Sequence, residues 1–246
     1  MLRHVVLALA LVACKKTEPE APPPPPAPTL PVVSNELAAQ LGNFGFGLAL
    51  DFTRLDRELL ANLLPPTPVA MRSAVRSARL GVVTQTGDSW RAYITGVAEP
   101  DLRECLALFS PGSTFTTQGD TSMIGSGSDA GAVSATILEL LHRVPADAVG
   151  WAASSGLPEL EARTLVGWLE TSATVWTFTV RVEAKDQVTA NKIVDGFVER
   201  FAAALGHDGT IHIDRSWFTT SSTPTTATLV ARVPLAALAP QQPAPR

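Results

Sequence analysis

The chain has 246 residues, 46% hydrophobic and 17% charged, with a net charge of -4. That is enough apolar material for a core and too little charge for a disordered chain, and one large or two small domains fit the length. Nineteen basic against twenty-three acidic side chains, with no long run of either sign, exclude a dense nucleic-acid footprint. Two cysteines exclude a disulfide framework and a four-thiolate zinc site.

The chain opens with Arg3 and His4, runs apolar from Val5 to Ala13, and reaches Cys14. Nine apolar residues span about 14 Å as a helix, roughly half a bilayer core, which suits the h-region of a secretory signal. Leu11-Val12-Ala13-Cys14 resembles the lipobox of bacterial lipoproteins. The resemblance implies cleavage after residue 13, diacylation of the Cys14 sulfur and an acyl chain such as palmitate on its new amino group. In lipoproteins of that type an Asp in the next position signals inner-membrane retention. Lys15 stands there, so the resemblance favours the outer membrane. Such an anchor contributes about 0.8 kcal/mol per buried CH₂ and needs no spanning helix. Eight prolines follow between Lys15 and Pro31, including Pro22 to Pro26. Near polyproline II they make a spacer of about 50 Å at roughly 3.1 Å per residue.

From residue 34 the composition turns globular. A strand over 44–52 is expected, then helices over 54–64 and through Met71 and Val75. Strands over 80–85 and 90–97 flank Gly87, a helix opens at Glu99-Pro100-Asp101, and a hairpin joins 114–118 to 121–124. The second half reads as a helix over 132–143, a strand through Val149, Trp151 and Ala153, and a helix over 158–169. The clearest strand follows, with Trp176, Phe178, Val180 and Val182 on one face and Thr177, Thr179, Arg181 and Glu183 on the other. A helix through Ile193, Phe197, Phe201 and Leu205 comes next, then strands over 210–214 and 226–233.

Trp90 to Ile94, leading to Glu99 and Asp101, parallels Trp176 to Val180, leading to Asp186. The parallel predicts a duplicated α+β body: two related ferredoxin-like (βαββαβ-type) halves, with antiparallel sheets, helices on one face and a Thr-rich opposite face. The expected organisation is a signal over 1–13, the lipidated Cys14 and spacer over 14–33, halves over 34–130 and 131–236, and a tail over 237–246.

Residues suited to chemistry are sparse. Cys105 lies at helical spacing with Leu102, Leu106 and Phe109, which points it at the core as an inert thiol. The loop Gly125-Ser126-Gly127-Ser128-Asp129-Ala130-Gly131 lacks the G-x-G-x-x-G and G-K-[ST] spacings and reads as a connector, not a nucleotide cradle. His212 and Asp214, two apart on an expected strand, would pair or hold one edge of a metal with His207, yet no H-E-x-x-H or C-x-x-C completes a set. Arg72, Arg76 and Arg79, four and three apart, predict a basic helix stripe facing solvent, anionic headgroups or an acidic partner. Arg91, Tyr93 and Arg181 are expected on an open sheet face available to a partner.

No metal, cofactor or catalytic set is therefore expected. The leading expectation is a lipid-anchored envelope protein whose body binds or supports an envelope partner without catalysis. A carrier or sensor of an apolar ligand is the second reading, and a hydrolase with a dispersed Ser/His/Asp site the third.

Overall fold

A computed structural model of the chain describes residues 44–63, 69–109, 113–126, 135–157, 161–205 and 213–238. The signal, Cys14, the spacer, the end of the tail, residues 127–131, His207 and His212 lie outside these residues.

Among the described residues ten strands form: β1 (Phe46–Asp51), β2 (Leu80–Thr86), β3 (Ser89–Thr95), β4 (Thr114–Gln118), β5 (Thr121–Ser126), β6 (Gly150–Ser154), β7 (Ala162–Thr171), β8 (Val175–Ala184), β9 (Phe218–Ser222) and β10 (Thr226–Pro234). The described α-helices are α1 (Arg57–Leu63), α2 (Val69–Ser77), α3 (Glu99–Phe109), α4 (Ala135–Leu141), α5 (Gln187–Leu205) and α6 (Leu235–Leu238). Short 3₁₀ turns cover Phe52–Arg54 and Arg215–Trp217. The protein is α+β.

All ten strands belong to one sheet, ordered β4-β5-β3-β2-β1-β6-β7-β8-β10-β9. Every neighbouring pair is antiparallel. The junction at the middle is β1 with β6, where Ala49 lies opposite Trp151. Read outward from there, one half runs β1-β2-β3-β5-β4 and the other β6-β7-β8-β10-β9. The order is the same. In each half a helix leads from the third strand to the edge strand and the fifth strand fills the gap between them, a split crossover. A ferredoxin-like unit has two such crossovers. Each half here has one, and the first three strands of each follow as antiparallel neighbours.

Two hairpins turn on glycine. Gly87 and Gly119 sit at φ +57 and +64, with open space where a Cβ would stand, in the two-residue turns between β2 and β3 and between β4 and β5. Left-handed backbone of this kind suits the strand twist and is costly for any residue with a Cβ.

Of the helix expected over 158–169, residues 158–160 lie outside the described residues and the rest from Ala162 on is strand β7 instead. Leu165, Val166, Trp168 and Leu169 are apolar on both sides of Gly167, without alternation, because β7 is interior to the sheet and covered on both faces. Without alternation such a run cannot be told from a buried helix by periodicity. Of the strand expected over 210–214, residues 210–212 lie outside the described residues. Ile213 and Asp214 are irregular, a 3₁₀ turn follows, and the edge strand begins at Phe218.

One face of the sheet carries most of the helices. Ala92, Ile94 and Ile124 pack with Met71 and Val75 of α2 and Leu102, Cys105 and Leu106 of α3. Val182 and Ala227 pack with Ala190 and Ile193 of α5. α1 reaches past the junction: its Leu59 packs with Leu169 and Trp176 of the other half, while its Ala61 stays with the first. The expectation of helices on one face alone is corrected by α4. Its Ile137, Leu140 and Leu141 cover Ala49, Val82, Trp151, Val166 and Trp168, which alternate to the opposite face. The middle of that face is apolar and needs a cover, and α4 removes it from water.

Candidate functional sites

The arginine stripe does not persist in the fold. Arg76 on α2 donates from Nε to both carboxylate oxygens of Glu58 on α1, at 2.7 and 2.9 Å. Arg79 lies beyond the end of α2 and pairs with Asp120 in the β4–β5 turn. Arg72 is half-buried within α2. Two of the three charges thus brace neighbouring elements, so the stripe is not a continuous basic surface. Exposed pairs of this kind contribute about 0–1 kcal/mol each.

Arg91, Tyr93 and Arg181 do lie on the sheet face opposite α1 and α2, as expected, but not together. β3 and β8 are five strand steps apart, roughly 24 Å at about 4.8 Å per step. Between them sits α4. Tyr93 packs onto the core beneath α4, and the stem of Arg91 lies over Gly125, where a Cβ would come 3.1 Å from its Cγ. The Arg181 guanidinium stands over the Trp168 ring, 5.3 Å from its centroid, while the Trp168 indole donates to Glu170 at 3.1 Å. These are local packing roles.

Asp214 accepts from the backbone N–H of Ser216 at 2.8 Å and caps the 3₁₀ turn before β9. The expected pairing with His212 falls outside the described residues. Of the three histidines after the signal, His142 alone is described, and it is exposed in the turn after α4. Among the described residues no three His, Cys, Asp or Glu side chains gather closely enough to hold a metal. No described helix is long and apolar enough to cross a membrane. Cys105 is buried in α3 as expected, but it is disulfide-bonded where a thiol was expected.

Two charged groups at the start of α5 depart from their ordinary values. Backbone and side-chain hydrogen bonds from Thr189 hold the Asp186 carboxyl low, the backbone one at 2.8 Å. A hydrogen bond to Glu161 at 2.6 Å raises Lys185. Both are surface groups that fix the entry to α5.

One feature escapes sequence reasoning. Trp176 on β8 is buried, and its Nε1–H has no hydrogen-bond partner. It stands among Leu59, Val149, Leu169, Val233 and Leu238, under α1 and α6. From it a series of edge-to-face rings leads outward: Trp176 to Phe178 (6.4 Å between centroids), Phe178 to Phe201 (5.1 Å) and Phe201 to Phe218 (5.6 Å). Trp176 alone of the four is fully buried. The alternation of β8 places this ring inside, but no sequence signal says that its N–H goes unpaired.

No protein-family model matches the chain, and no curated protein matches it. Among solved structures the chain is similar to TP0453. Crystal form III of that protein aligns at a TM-score of 0.48 and 8% identity, covering 80% of this chain and 94% of that one. Form I aligns at 0.44 and 8%, covering 80% and 93%, and form IV at 0.44 and 6%, covering 79% and 90%.

Proposed function

We propose that this chain is an envelope lipoprotein, anchored through Cys14 to the outer membrane, whose α+β body binds a partner or ligand and carries out no catalysis. The observation that carries the reading is the apolar run Val5–Ala13 ending at Cys14, followed by a proline-rich spacer. The body is consistent with it: the described charged side chains singled out above brace the fold and do not converge on a cleft. The mature chain then starts at Cys14, with residues 15–33 as spacer. Mass spectrometry of the N-terminal peptide from isolated envelopes tests the proposal. Its expected mass is that of a Cys14 peptide with three acyl chains. An unmodified Met1 or Cys14, or a product in the cytosol, ends it.

We further propose that the halves over 34–130 and 131–236 arose by duplication. Gln85 pairs with Trp90 and Thr171 with Trp176, each residue of the second pair 86 positions after its counterpart. Carried outward through the ladders, Ala92 leads by way of Ile124 to Phe115, and Phe178 by way of Ala231 to Phe218. The edge strands so matched read Ser113-Thr114-Phe115-Thr116-Thr117 and Ser216-Trp217-Phe218-Thr219-Thr220. Shared strand order, shared hairpin register and a shared edge motif are three separate supports.

A further inference from the structure

We propose that β9 joins two copies of this chain: β9 of one pairs antiparallel with β9 of the other, and the two sheets become one. The inference rests on the reading that the body binds a partner, and it makes that partner a second copy. β4 and β9 are the outer strands of the sheet, and among the described residues nothing pairs with β9 on its outer side. The Thr223 N–H donates to the Thr226 carbonyl at 2.8 Å, which fixes the phase of the β9–β10 ladder. Ladder bonds then fall at Ser221 with Thr228 and at Thr219 with Val230, while the backbone N–H and C=O of Phe218, Thr220 and Ser222 turn outward. That row is its own complement. A two-fold axis at Thr220 sets Thr220 against Thr220 and Phe218 against Ser222, and each such pair exchanges two backbone hydrogen bonds. The β4 edge offers only Phe115 and Thr117 in this way, because Gln118 closes its two-residue turn. Natural edge strands that stay unpaired are blunted by Lys, Pro or a bulge. Phe-Thr-Thr-Ser-Ser has none of these, and its register with β10 is unbroken. The side chains brought together across the axis are neutral, with Thr against Thr and Thr219 against Ser221, a favourable cross-strand set. Apolar area flanks the row. Phe218 is half-buried against Phe201, Trp217 is half-buried before it, and half-buried Val198 lies two turns along α5 from Asn191, which accepts from the Ser222 hydroxyl at 2.9 Å. Aromatic and aliphatic side chains around a polar backbone row are what an interface core is made of.

The test uses the mature chain, residues 14–246, made without its signal. Sedimentation velocity is expected to show a reversible monomer–dimer equilibrium and nothing larger. Hydrogen exchange at the Thr220 amide, which turns outward in a single copy, is expected to slow as the dimer forms. Thr220→Lys sets two ammonium groups across the axis and raises the dimer dissociation constant about tenfold or more, less so in high salt. Thr117→Lys places the same charge on the β4 edge and leaves that constant unchanged. A monomer at every concentration, a Thr220 amide whose exchange ignores concentration, or equal effects from the two lysines overturns the inference. So does an open-ended assembly that Thr117→Lys abolishes, which assigns β9 to β4 of the next copy. Exchange is read on the unsubstituted chain, so it decides the matter even if Thr220→Lys fails to fold. Anchoring is read separately from the Cys14 peptide, so a monomeric body leaves that proposal standing.

Discussion

Arg54 reaches from the first half of the sheet to the second: its Nη2 donates to the backbone carbonyl of Asp147 at 2.7 Å, and its Nη1 to that of Ala148 at 3.2 Å. Both carbonyls lie in the turn that delivers the chain to β6. With the β1–β6 ladder and α1 packed over both halves, this contact ties the two into one sheet and one core. Arg54→Ala removes two charge-assisted hydrogen bonds and is expected to cost about 1–3 kcal/mol. Urea unfolding followed by both fluorescence and circular dichroism should show a single, earlier transition with unchanged slope. Two separated transitions would contradict the joined core.

Gly96 ends β3 at φ +84, and a Cβ there would lie 2.6 Å from the Ser77 carbonyl oxygen. Gly87 has a similar φ of +57 but open space around it. Gly87→Ala thus isolates the cost of left-handed backbone, about 1–2 kcal/mol, while Gly96→Ala adds a steric clash. Thermal melts of the two variants are expected to rank Gly96→Ala clearly lower. Equal melting temperatures would mean that Gly96 is not held against Ser77.

Asp186 links stability to pH at the start of α5. Its carboxyl is held below the ordinary 3.8 by the hydrogen bonds from Thr189, so the unfolded chain binds a proton at higher pH than the folded one. The contribution is therefore fully present above about pH 5 and fades as pH falls through the depressed value. Asp186→Ala should destabilise the protein at neutral pH, and the gap to the parent should close in acid. A gap that stays constant from pH 7 to pH 3 would show that the carboxylate charge is irrelevant to the cap.

Trp168 lies under Arg181 and beside α4, joining the apolar middle of the second face to its polar flank. A double-mutant cycle with Arg181→Ala and Trp168→Leu should return a coupling of about 0.5–1 kcal/mol, since Arg181 itself is exposed. The measurement is denaturant stability of the four proteins. Additive effects would leave Arg181 free to serve a partner.

The amino-acid sequence by itself determined the α+β class, most strands of the first half, β8, and α5, because alternation at period two and an apolar stripe at 3.6 are local signals. It also pointed to the Trp90–Trp176 correspondence, since both residues open strands that lead into helices. Only the tertiary structure decided that β7 is a strand, because an interior strand covered on both faces loses its alternation. The matching ladder positions of Phe115 and Phe218 are visible only in the sheet, since their spacing differs from that of Trp90 and Trp176 and an ungapped comparison misses it. The candidate surface residues separated for the same reason. Spacing places Arg91 and Arg181 on a common face, but strand order sets how far apart on that face they stand. Whether the Trp176 indole meets an acceptor depends on every element packed around it. That is a property of the assembled core and of no stretch of sequence.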